Sequence, residues 1–588
     1  MKHHIYNYIA GISLSLVCLG AFGQENAPPA PDLGQLHGNF EITAQYYNED
    51  SLIGAPDFPE RVGANAFLNL IYVKGNFESG VRFESYEPVL QGYPTNFEGS
   101  GVGLRYARYR KDELDITAGH FYEQFGSGLI LRTYEERALG VDNAIDGIRV
   151  KYKPFRGVYL TGLMGKQRFR FENRVQNGDG RVRGFDAELN INELIPSLAE
   201  SRTQMTVGGS FVSKFQADRD PLLVLPENVS SYGGRFSLTR GKFSFLGEYA
   251  YKINDPSADN NFIFKDGQAV FVSGSYSKKG LGITLAAKTI DNMSFRSDRS
   301  ETVNNLTINY LPALTRQHTY NLAATLYPYA TQPTGEVGYQ ADLIYKIPKK
   351  TYFGGRYGTT VSINYSGVNS LDTTQIPENN VSDSLKTLQG YTTNFFSLGS
   401  QTFFKDFNIE VTRKLSKKTK ITASYVNFVF NNDVVKLSPN KGTFFTDIAI
   451  LDVTYKIRPK HTLRVEAQHL WINSVPTKVD STNLNVLSEG ELGETISAER
   501  DNGDWAAAIV EYTFSPHWIV SVIDQYNYNN NNKDLRIHYV TGSVVYVNKG
   551  TRIMLSYGRQ RAGVFCVGGV YRNVPASNGL TLSLTSSF

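Results

Sequence analysis

Long apolar runs are almost absent from this sequence of 588 residues. Beyond the first two dozen residues the best candidate, at 506–510, is five residues long, whereas a membrane-spanning helix needs about 20. The mean hydropathy of −0.30 is also too polar for a bundle of spanning helices. It suits a sheet whose side chains alternate between an apolar and a polar environment. If the mature chain lies in a membrane, it must therefore cross the membrane as strands.

Cysteine is nearly missing as well. Of the two cysteines, Cys18 falls in a predicted leader and only Cys566 remains, so the mature chain cannot form an internal disulfide. No two histidines after the leader have metal-ligand spacing, and neither a Gly-x-Ser-x-Gly elbow nor a phosphate-binding loop is present. The net charge of +4 is small for this length and does not indicate nucleic-acid binding. We therefore expect no enzyme, no catalytic, cofactor-binding or metal site, and no nucleic-acid partner.

The first 23 residues have the features of a secretory signal peptide. Lys2 and two histidines form a weakly basic start, an apolar stretch follows at 9–19, and Ala21-Phe22-Gly23 supplies the small-x-small cleavage pattern. The apolar stretch, about eleven residues long, is too short for a spanning anchor. We predict a signal peptide at 1–23 and a short tether at 24–36.

The dominant pattern from near residue 38 to the last residue is alternation with a period of two. Phe243, Phe245 and Tyr249, for example, alternate with Ser244 and Glu248. In a strand, such a pattern places apolar side chains on one face of the sheet and polar side chains on the other.

Short polar connections and longer ones separate the alternating segments. Twelve short connections lie at 74–75, 111–112, 153–157, 193–201, 240–241, 278–280, 311–316, 347–350, 416–418, 458–460, 515–516 and 548–550. With one strand before them and one after, they predict about 26 strands, in a range of 24–28. The longer connections lie at 49–63, 123–144, 367–402 and 472–502.

Short turns at one rim and long loops at the other are typical of outer-membrane barrels of Gram-negative bacteria. Hydrocarbon offers no partner to the N–H and C=O groups of a sheet edge, so a sheet that spans it must close. The predicted fold class is all-β: one large transmembrane antiparallel β-barrel over 37–588 in the cell outer membrane, with short periplasmic turns and long extracellular loops. Interfacial girdles would contain Tyr249, Tyr251, Tyr345, Trp471 and Trp518.

The last strand has its own signature. Leu580, Leu582, Leu584 and the C-terminal Phe588 share one face, and Thr and Ser residues occupy the other. A final strand of about ten residues that ends in Phe looks like the signal read by the barrel-assembly machinery of the outer membrane. We therefore expect that machinery and outer-membrane lipid as partners.

Two stretches carry a resemblance to a known family. One is GHFYEQFGSGL at 119–129, continued by NAIDG at 143–147, and the other is GGVYRNVP at 568–575. They resemble an uncharacterised family of porin-like outer-membrane barrels from the Bacteroidota, and the resemblance covers the whole mature chain. It implies a location and a fold but no reaction. The first stretch is also similar to porin-type exporters and uptake channels, which points towards transport.

A plug domain is not expected inside this barrel. Only about a dozen residues separate Gln24 from the first alternating segment, whereas a TonB-dependent transporter needs a globular plug before its barrel. A barrel of this strand number is wide, so its lumen is either aqueous or filled. We predict that long loops or a partner protein fill it.

The connection at 123–144 is the first candidate for a pore constriction. It combines the apolar run 129–131 with five charged residues: Arg132, Glu135, Glu136, Arg137 and Asp142. Gly126 and Gly128 indicate a sharp bend, which favours a loop folded into the lumen. The alternative is an external loop whose charges are solvated.

Arginines on polar strand faces are candidates for the lumen lining. They are Arg82, Arg105, Arg149, Arg168 and Arg170, followed by Arg181 and Arg183. In the lumen they would attract anions such as acidic sugars or phosphates. The alternative is a network that braces the wall, with Glu78, Glu84, Asp115, Asp186 and Glu188 as partners.

Two functional classes remain open. The first is a porin-like channel for small or oligomeric solutes. The second is a barrel that acts as a scaffold or as a component of a secretion or surface-assembly complex. An outer-membrane barrel enzyme is a third and weaker alternative. Neither the solute nor a protein partner follows from the sequence.

Overall fold

The computed structural model describes residues 33–94, 96–376, 390–435, 442–473, 502–567 and 570–588. The predicted signal peptide and most of the predicted tether lie outside these ranges, as does part of the family-like stretch at 568–575. The structure is dominated by β-strands, and its helices are short.

A single sheet of 24 strands forms the wall, and strands that follow one another in this wall pair antiparallel. The strands are β1 (Gln35–Asn48), β2 (Val62–Lys74), β3 (Phe77–Tyr86), β4 (Phe97–Lys111), β5 (Leu114–Phe121), β6 (Glu135–Glu136), β7 (Val141–Asp142), β8 (Ile145–Tyr152), β9 (Val158–Glu172), β10 (Val175–Asn190), β11 (Thr203–Phe215), β12 (Asn228–Arg240), β13 (Phe243–Lys252), β14 (Gly267–Lys278), β15 (Leu281–Asp291), β16 (Gly335–Ile347), β17 (Thr359–Gln375), β18 (Tyr391–Lys414), β19 (Thr419–Asn431), β20 (Thr443–Arg458), β21 (His461–Ile472), β22 (Trp505–Phe514), β23 (Trp518–Asn527), β24 (His538–Asn548), β25 (Thr551–Gln560), β26 (Gly563–Val567), β27 (Val570–Val574) and β28 (Ser577–Ser587). The pairs β6–β7 and β26–β27 are small separate ladders that are not part of the wall.

Helical segments are few and lie between the strands. They are α1 (Ile191–Leu194), α2 (Asn321–Leu326) and α3 (Asn432–Val435), with 3-10 turns at Arg137–Leu139, Pro196–Leu198, Ala258–Asn260 and Lys533–Leu535. In the described part of the chain, none of these helices has the length and apolar character needed to cross a membrane.

The barrel closes between its first and last strands. β1 pairs with β28 in a regular antiparallel register, in which Ile42 faces Leu584 and Ala44 faces Leu582. The backbones of Gly38 and Phe588 add two reciprocal hydrogen bonds of 3.0 Å. The C-terminal residue is thus part of the seam, which leaves the sheet without a free edge.

The connections differ at the two ends of the barrel, as predicted. Eleven of the twelve predicted short connections join consecutive wall strands at one end, which we call the short-turn end. The opposite, long-loop end carries the connections at 122–144 and 292–334. The predicted connection at 311–316 is wrong, because it lies inside 292–334 and joins no strands. The wall therefore has 24 strands, the lower limit of the predicted range.

Side chains alternate between the two faces of the wall. On β13, Phe243, Phe245 and Tyr249 are exposed, whereas Glu248 and Ala250 are buried. Exposed apolar side chains follow the outer face of the other strands in the same register. The outer face is therefore mainly apolar and the inner face mainly polar. This is the reverse of a soluble protein, in which the apolar face is covered by other parts of the chain.

The hairpin of β17 and β18 is longer than predicted. The sequence places a loop at 367–402, but β17 continues to Gln375 and β18 already begins at Tyr391. Thr373 pairs with Thr393 near its tip. Threonine-rich segments of this kind favour extended backbone even where no apolar face is buried.

Candidate functional site

Two connections of the long-loop end fold into the lumen of the barrel. We call residues 122–144 the first lumenal segment and residues 292–334 the second lumenal segment. They contact each other through backbone hydrogen bonds: Arg132 donates to Ile308 (2.8 Å) and Tyr310 donates to Gly128 (2.9 Å). Because both segments also contact the inner wall, they form one body inside the barrel.

The first lumenal segment has an apolar centre that packs on the inner wall. Leu129, Ile130 and Leu131 are fully buried in a cluster with inward side chains of six neighbouring strands. These wall residues are Val182, Val212, Val229, Ala250, Ala269 and Ile290. Most of these inward side chains are short, so they leave room for the segment in the lumen. The apolar run 129–131, which is unusual for an external loop, is thus the surface by which this segment contacts the inner wall.

A tight turn delivers this apolar centre. Phe125 donates to the carbonyl of Leu131 (3.0 Å), and Gly128 donates to that of Phe125 (2.9 Å). Gly126 and Gly128 have φ angles of 54° and 102°, which L-residues rarely adopt. Ser127 donates its backbone N–H to Glu248 on β13 (2.7 Å). The bend predicted from the paired glycines is present.

A buried charge cluster holds the far end of the first lumenal segment. Arg168 on β9 contacts Glu84 on β3 at 2.6 Å and Asp142 of the segment at 2.9 Å. Arg82 contacts the same two carboxylates, each at 2.6 Å, and reaches Glu135 at 2.8 Å. The side chains of Arg168 and Glu84 are 1% and 0% exposed. Two guanidinium groups and two carboxylates are therefore neutralised within one dry cluster.

Asp142 is the member of this cluster that the segment contributes. Burial alone would raise the pKa of its carboxyl group, but the guanidinium groups of Arg168 and Arg82 outweigh burial and hold this pKa below its usual range. Tyr122 also donates to Asp142 (2.9 Å). Asp142 is therefore an anion that ties the lumenal segment to β3 and β9.

The other charged residues predicted for a constriction are also engaged. Arg137 contacts Glu135 and, on β1, Glu41, each at 2.8 Å, and its guanidinium lies 4.6 Å from the ring of Phe67. Glu136 pairs with Val141 in the small β6–β7 ladder.

Arg132 joins the two lumenal segments. Its guanidinium lies 3.9 Å from the ring centre of Tyr310 in the second segment and 4.9 Å from that of Tyr134 in the first. The structure thus brings all five predicted residues into the lumenal body, and their role in a pore stays a prediction.

The second lumenal segment begins as a hairpin against the first. Ile308 donates to the carbonyl of Phe295 (2.8 Å), and Ser297 donates to that of Leu306 (2.9 Å). Asn309 ties the hairpin to its neighbour by donating to the carbonyls of Leu129 (3.2 Å) and Met293 (2.7 Å). The sequence of this hairpin alternates as in a wall strand, but the hairpin pairs with the first lumenal segment.

The second half of this segment crosses to the part of the wall that contains β18 and β19. Leu322, Ala323 and Leu326 of α2 are buried in a cluster that includes Phe404 and Phe428 of the wall. Tyr327 packs at 5.5 Å from Phe430, and Tyr329 stacks at 5.1 Å on Phe404. Aromatic packing therefore fixes this part of the segment.

Polar contacts of the same part follow a row of inward residues on β18. Arg316 donates to Asn408 (2.6 Å), His318 Nε2 lies 2.8 Å from Asp406 Oδ2, and Tyr320 donates to Glu410 (3.0 Å). These contacts alternate with the strand period, since residues 406, 408 and 410 face the lumen.

A cavity of about 370 Å³ lies between the second lumenal segment and this wall. Its lining combines aromatic rings with hydrogen-bonding groups: Tyr310, Arg316, His318, Tyr327, Tyr329, Phe404 and Phe428. The volume is at the lower end of the range for small-molecule sites.

The lumen remains accessible to water from the short-turn end. The inward side chains of Arg110, Lys151 and Glu188, near that end, are 59%, 40% and 40% exposed. Asp115, by contrast, is 14% exposed because Arg108 and Arg110 cover it. A polar vestibule at the short-turn end thus leads to the lumenal segments in the other half.

The predicted lumen-lining arginines fall into two groups. Arg82 and Arg168 belong to the buried cluster, and Arg149 contacts Glu123 at 3.3 Å and Thr117 at 3.0 Å.

The remaining arginines correct the prediction. Arg105 is the register partner of the outward Val81, and Arg183 is that of the outward Met164, so both lie on the outer face, as does Arg181 two residues earlier. Arg170 is about half exposed beside Glu172 at the long-loop rim. Alternation alone could not separate these groups, because irregularities in the β3–β4 and β9–β10 pairings shift the register between them.

The second lumenal segment is the part of the site that the sequence prediction missed. Pro312, Pro328 and Pro333 argue against a wall strand, because proline cannot donate to a ladder. The helical spacing of Leu322, Ala323 and Leu326 is a further signal. Among the described residues no group of three histidine, cysteine or acidic side chains is arranged to hold a metal ion.

Comparison with known proteins gives a family but no activity. The family model described as Family of unknown function (DUF6029) matches residues 6–588. This match agrees with the uncharacterised family inferred from the sequence, whereas an origin in the Bacteroidota stays a prediction. No curated protein matches the chain in sequence.

Solved structures with a similar fold are outer-membrane proteins and a translocation pore. The siderophore receptor PirA from Pseudomonas aeruginosa has 8% identity and a TM-score of 0.38, with 94% of this chain and 81% of that chain covered. The outer membrane protein opdK from the same organism has 10% identity and a TM-score of 0.33, with 74% and 97% covered. The P pilus usher (PapC) translocation pore has 9% identity and a TM-score of 0.35, with 94% and 99% covered. At these identities the likeness concerns the fold alone.

Proposed function

The chain belongs to the family of unknown function DUF6029, and because this membership assigns no activity, we propose from the geometry that the protein is a channel of the bacterial outer membrane. Small or oligomeric solutes pass through its lumen, and the two lumenal segments limit their passage. The observation that carries the proposal is a water-accessible polar vestibule that ends on a body formed by the chain itself.

The outer face supports a membrane location. Trp471 lies ten residues along β21 from His461, whose register partner is the exposed Phe514. Ten residues span roughly 33 Å along a strand, or about 25 Å of height at the usual tilt, which is the height of the apolar band in such barrels. Exposed aliphatic residues such as Val465 and Val510 fill the space between these rings.

The inner face supports passage rather than a solid core. Its residues at the short-turn end are charged and partly exposed, as expected for the wall of an aqueous space. With a cleaved signal peptide and both ends of the barrel sequence at the short-turn end, this end faces the periplasm. Solutes would then meet the narrow part of the lumen on the outer side of the membrane.

Conductance in planar lipid bilayers tests the proposal. We compare the full mature protein with a variant in which residues 293–333 are replaced by a short Gly-Ser linker. Removal of the second lumenal segment should raise the single-channel conductance several-fold, because it widens the narrowest part of the lumen. A matched control replaces residues 219–224, an external stretch with the exposed Leu222 and Val224, by a similar linker.

The control should conduct like the unaltered protein. If none of the three proteins gives stepwise conductance, or if the deletion leaves the conductance unchanged, the channel proposal fails.

A second candidate function is a scaffold for surface assembly, and one observation favours it. The β17–β18 hairpin extends beyond its neighbours and exposes Phe396 and Leu398 by 82% and 56%. An exposed apolar patch of this kind fits a protein partner. Neither candidate requires catalysis. Isolation of the protein in mild detergent distinguishes them, since a scaffold co-purifies stoichiometrically with a partner and loses it after Phe396→Ser.

A further inference from the structure

Cations accumulate on one arc of the short-turn end. They lie at or next to five consecutive turns, from the β12–β13 turn to the β20–β21 turn. The sixteen residues, which we call the basic arc, are Arg240, Lys242, Lys278, Lys279, Lys346, Lys349, Lys350, Arg356, Arg413, Lys414, Lys417, Lys418, Lys420, Lys456, Arg458 and Lys460. No Asp or Glu occurs in the same five turn regions (239–244, 276–282, 345–359, 412–421 and 454–463).

The basic arc is not neutralised by the protein. Fifteen of its sixteen side chains are exposed, and Arg413 is half-buried. In the part of the chain that the structure describes, none of the sixteen forms an ion pair. On the other arc, the β4–β5 and β10–β11 turns contain both signs of charge: Asp112 and Glu113 follow Lys111, and Glu193 contacts Lys153 of the β8–β9 turn at 3.6 Å. Repulsion among sixteen uncompensated cations disfavours the folded state unless anions from outside balance it.

Several members of the arc face outwards, where lipid would lie. Arg240 is the register partner of the exposed Phe243, and Arg413 is that of Thr359 on the outer face. Lys278 pairs with Leu281, whose other partner is the exposed Tyr345. The cations therefore lie just beyond the apolar band, at the level where the phosphates of a lipid leaflet are found.

The longest of the five turns, 348–358, leans over the outer face. Thr359, whose side chain lies on that face, donates to the carbonyl of Phe353 (2.8 Å), and the guanidinium of Arg413 lies against Gly355. Tyr352 and Phe353 at the tip are 89% and 70% exposed. Exposed aromatic rings beside lysines on the outside of a barrel are suited to the interface of a bilayer.

From this placement we propose that the basic arc binds the anionic headgroups of phospholipids in the leaflet at the short-turn end. The ligand is a phosphate-bearing headgroup with net negative charge, and the rings of the 348–358 turn enter the same leaflet. The site orients one side of the barrel towards anionic lipid. It rests on the proposed membrane location but not on conduction.

Lipid retention measures this preference directly. The full mature protein is placed in a bilayer of equimolar phosphatidylglycerol and phosphatidylcholine, extracted in mild detergent, and its retained lipid is quantified by mass spectrometry. We expect several-fold enrichment of phosphatidylglycerol. The variant K349Q/K350Q/K417Q/K418Q should reduce the enrichment to near parity. High salt should weaken it in the unaltered protein.

A matched control removes four exposed cations from the other arc of the same end, as K74Q/K111Q/R202Q/K549Q, and should retain the enrichment. No enrichment in the unaltered protein, or an equal loss in both variants, would overturn the inference. It would also be overturned if the arc captured polyglutamate in detergent but showed no lipid preference, since the partner would then be an acidic protein.

The two proposals fail separately. Absence of conductance steps in a protein that inserts and enriches phosphatidylglycerol overturns the channel alone. Normal conductance without enrichment overturns the headgroup site alone. A protein that enters no bilayer overturns both.

Discussion

The two lumenal segments occupy the same barrel but are held there by different forces. The first is tied to the wall by a cluster of buried charges, with Asp142 between Arg82 and Arg168, in addition to its apolar centre. The second is held by the packing of α2 and Tyr327 against aromatic residues, by single polar contacts to β18, and by an ion pair between Arg296 and Asp259 (2.6 Å). Separation of a buried cluster of ion pairs leaves uncompensated charges, whereas separation of packed side chains leaves a void. We therefore expect the first segment to be the rigid part of the lumenal body and the second to be the part that can yield.

The position of the cavity agrees with this difference. It lies beside the second segment, between Arg316 and Phe428, and not beside the charge cluster. The cavity removes contacts along one side of the second segment, which lowers the free energy at which this segment opens. In a channel of this design, we expect the solute-dependent changes in the second segment.

Among the variants that test this comparison, removal of Arg168 should lower the unfolding free energy the most. In the variant Arg168→Ala, the buried Glu84 and Asp142 both keep only Arg82 as a cationic partner within the cluster. Loss of one partner from a buried ion pair costs about 3–5 kcal/mol of unfolding free energy. Urea unfolding of the protein in lipid vesicles, followed by tryptophan fluorescence, measures the loss.

Arg170→Ala is the control for this prediction, because its side chain is about half exposed beside Glu172. It should change the unfolding free energy by no more than about 0.5 kcal/mol. Equal losses in the two variants would show that the cluster does not anchor the first segment.

Truncation of the α2 packing should loosen the second segment only. Leu326 is buried among aromatic side chains, and Leu326→Ala should cost about 2–5 kcal/mol of packing. We expect faster proteolytic cleavage within 292–334, while the charge cluster and the wall stay intact. Leu222→Ala at an exposed site is the control. Cleavage within 122–144 at the same increased rate would contradict the idea that different contacts hold the two segments.

The wall and one lumenal segment could be predicted from the sequence for a physical reason. Alternation indicates a strand with one apolar and one polar side, and the tight turns contain Gly, Pro, Asn and Lys. The same rule explains the wrong connection at 311–316. Ile308 and Tyr310, just before it, alternate with polar residues as in a wall strand, but they pair with the first lumenal segment and not with another wall strand.

Pairing of charges could not be predicted. The sequence offers Arg82, Arg168 and Glu84 as candidates, but Arg168 and Glu84 are 84 positions apart and meet only because β3 and β9 line the same side of the lumen. Nothing in their local sequence distinguishes them from Arg105, which faces outwards. Such contacts follow from the register of the closed barrel and from the path of the lumenal segments.

Strain introduced at the turn of the first segment should have an intermediate effect. Gly128 has a φ of 102°, and a Cβ there would lie 3.1 Å from Cβ of Arg132. Gly128→Ala should therefore cost about 1–3 kcal/mol and displace the apolar centre from the wall. Hydrogen exchange of residues 125–131 measures this opening. Gly209→Ala, where a Cβ meets open space, should leave the exchange unchanged.

The smallest predicted effect concerns the joint between the two segments. Tyr310→Leu removes one of the two rings beside the guanidinium of Arg132 but keeps Tyr134. A cation–π contact at a partly exposed site is worth about 0.5–1 kcal/mol, so the ratio of open to closed times in bilayer recordings should change by about two- to fivefold. Tyr310→Phe retains the ring and should behave like the unaltered protein. If it instead behaves like Tyr310→Leu, the tyrosine hydroxyl and not the ring couples the segments, and the rigid part does not act on the yielding part through Arg132.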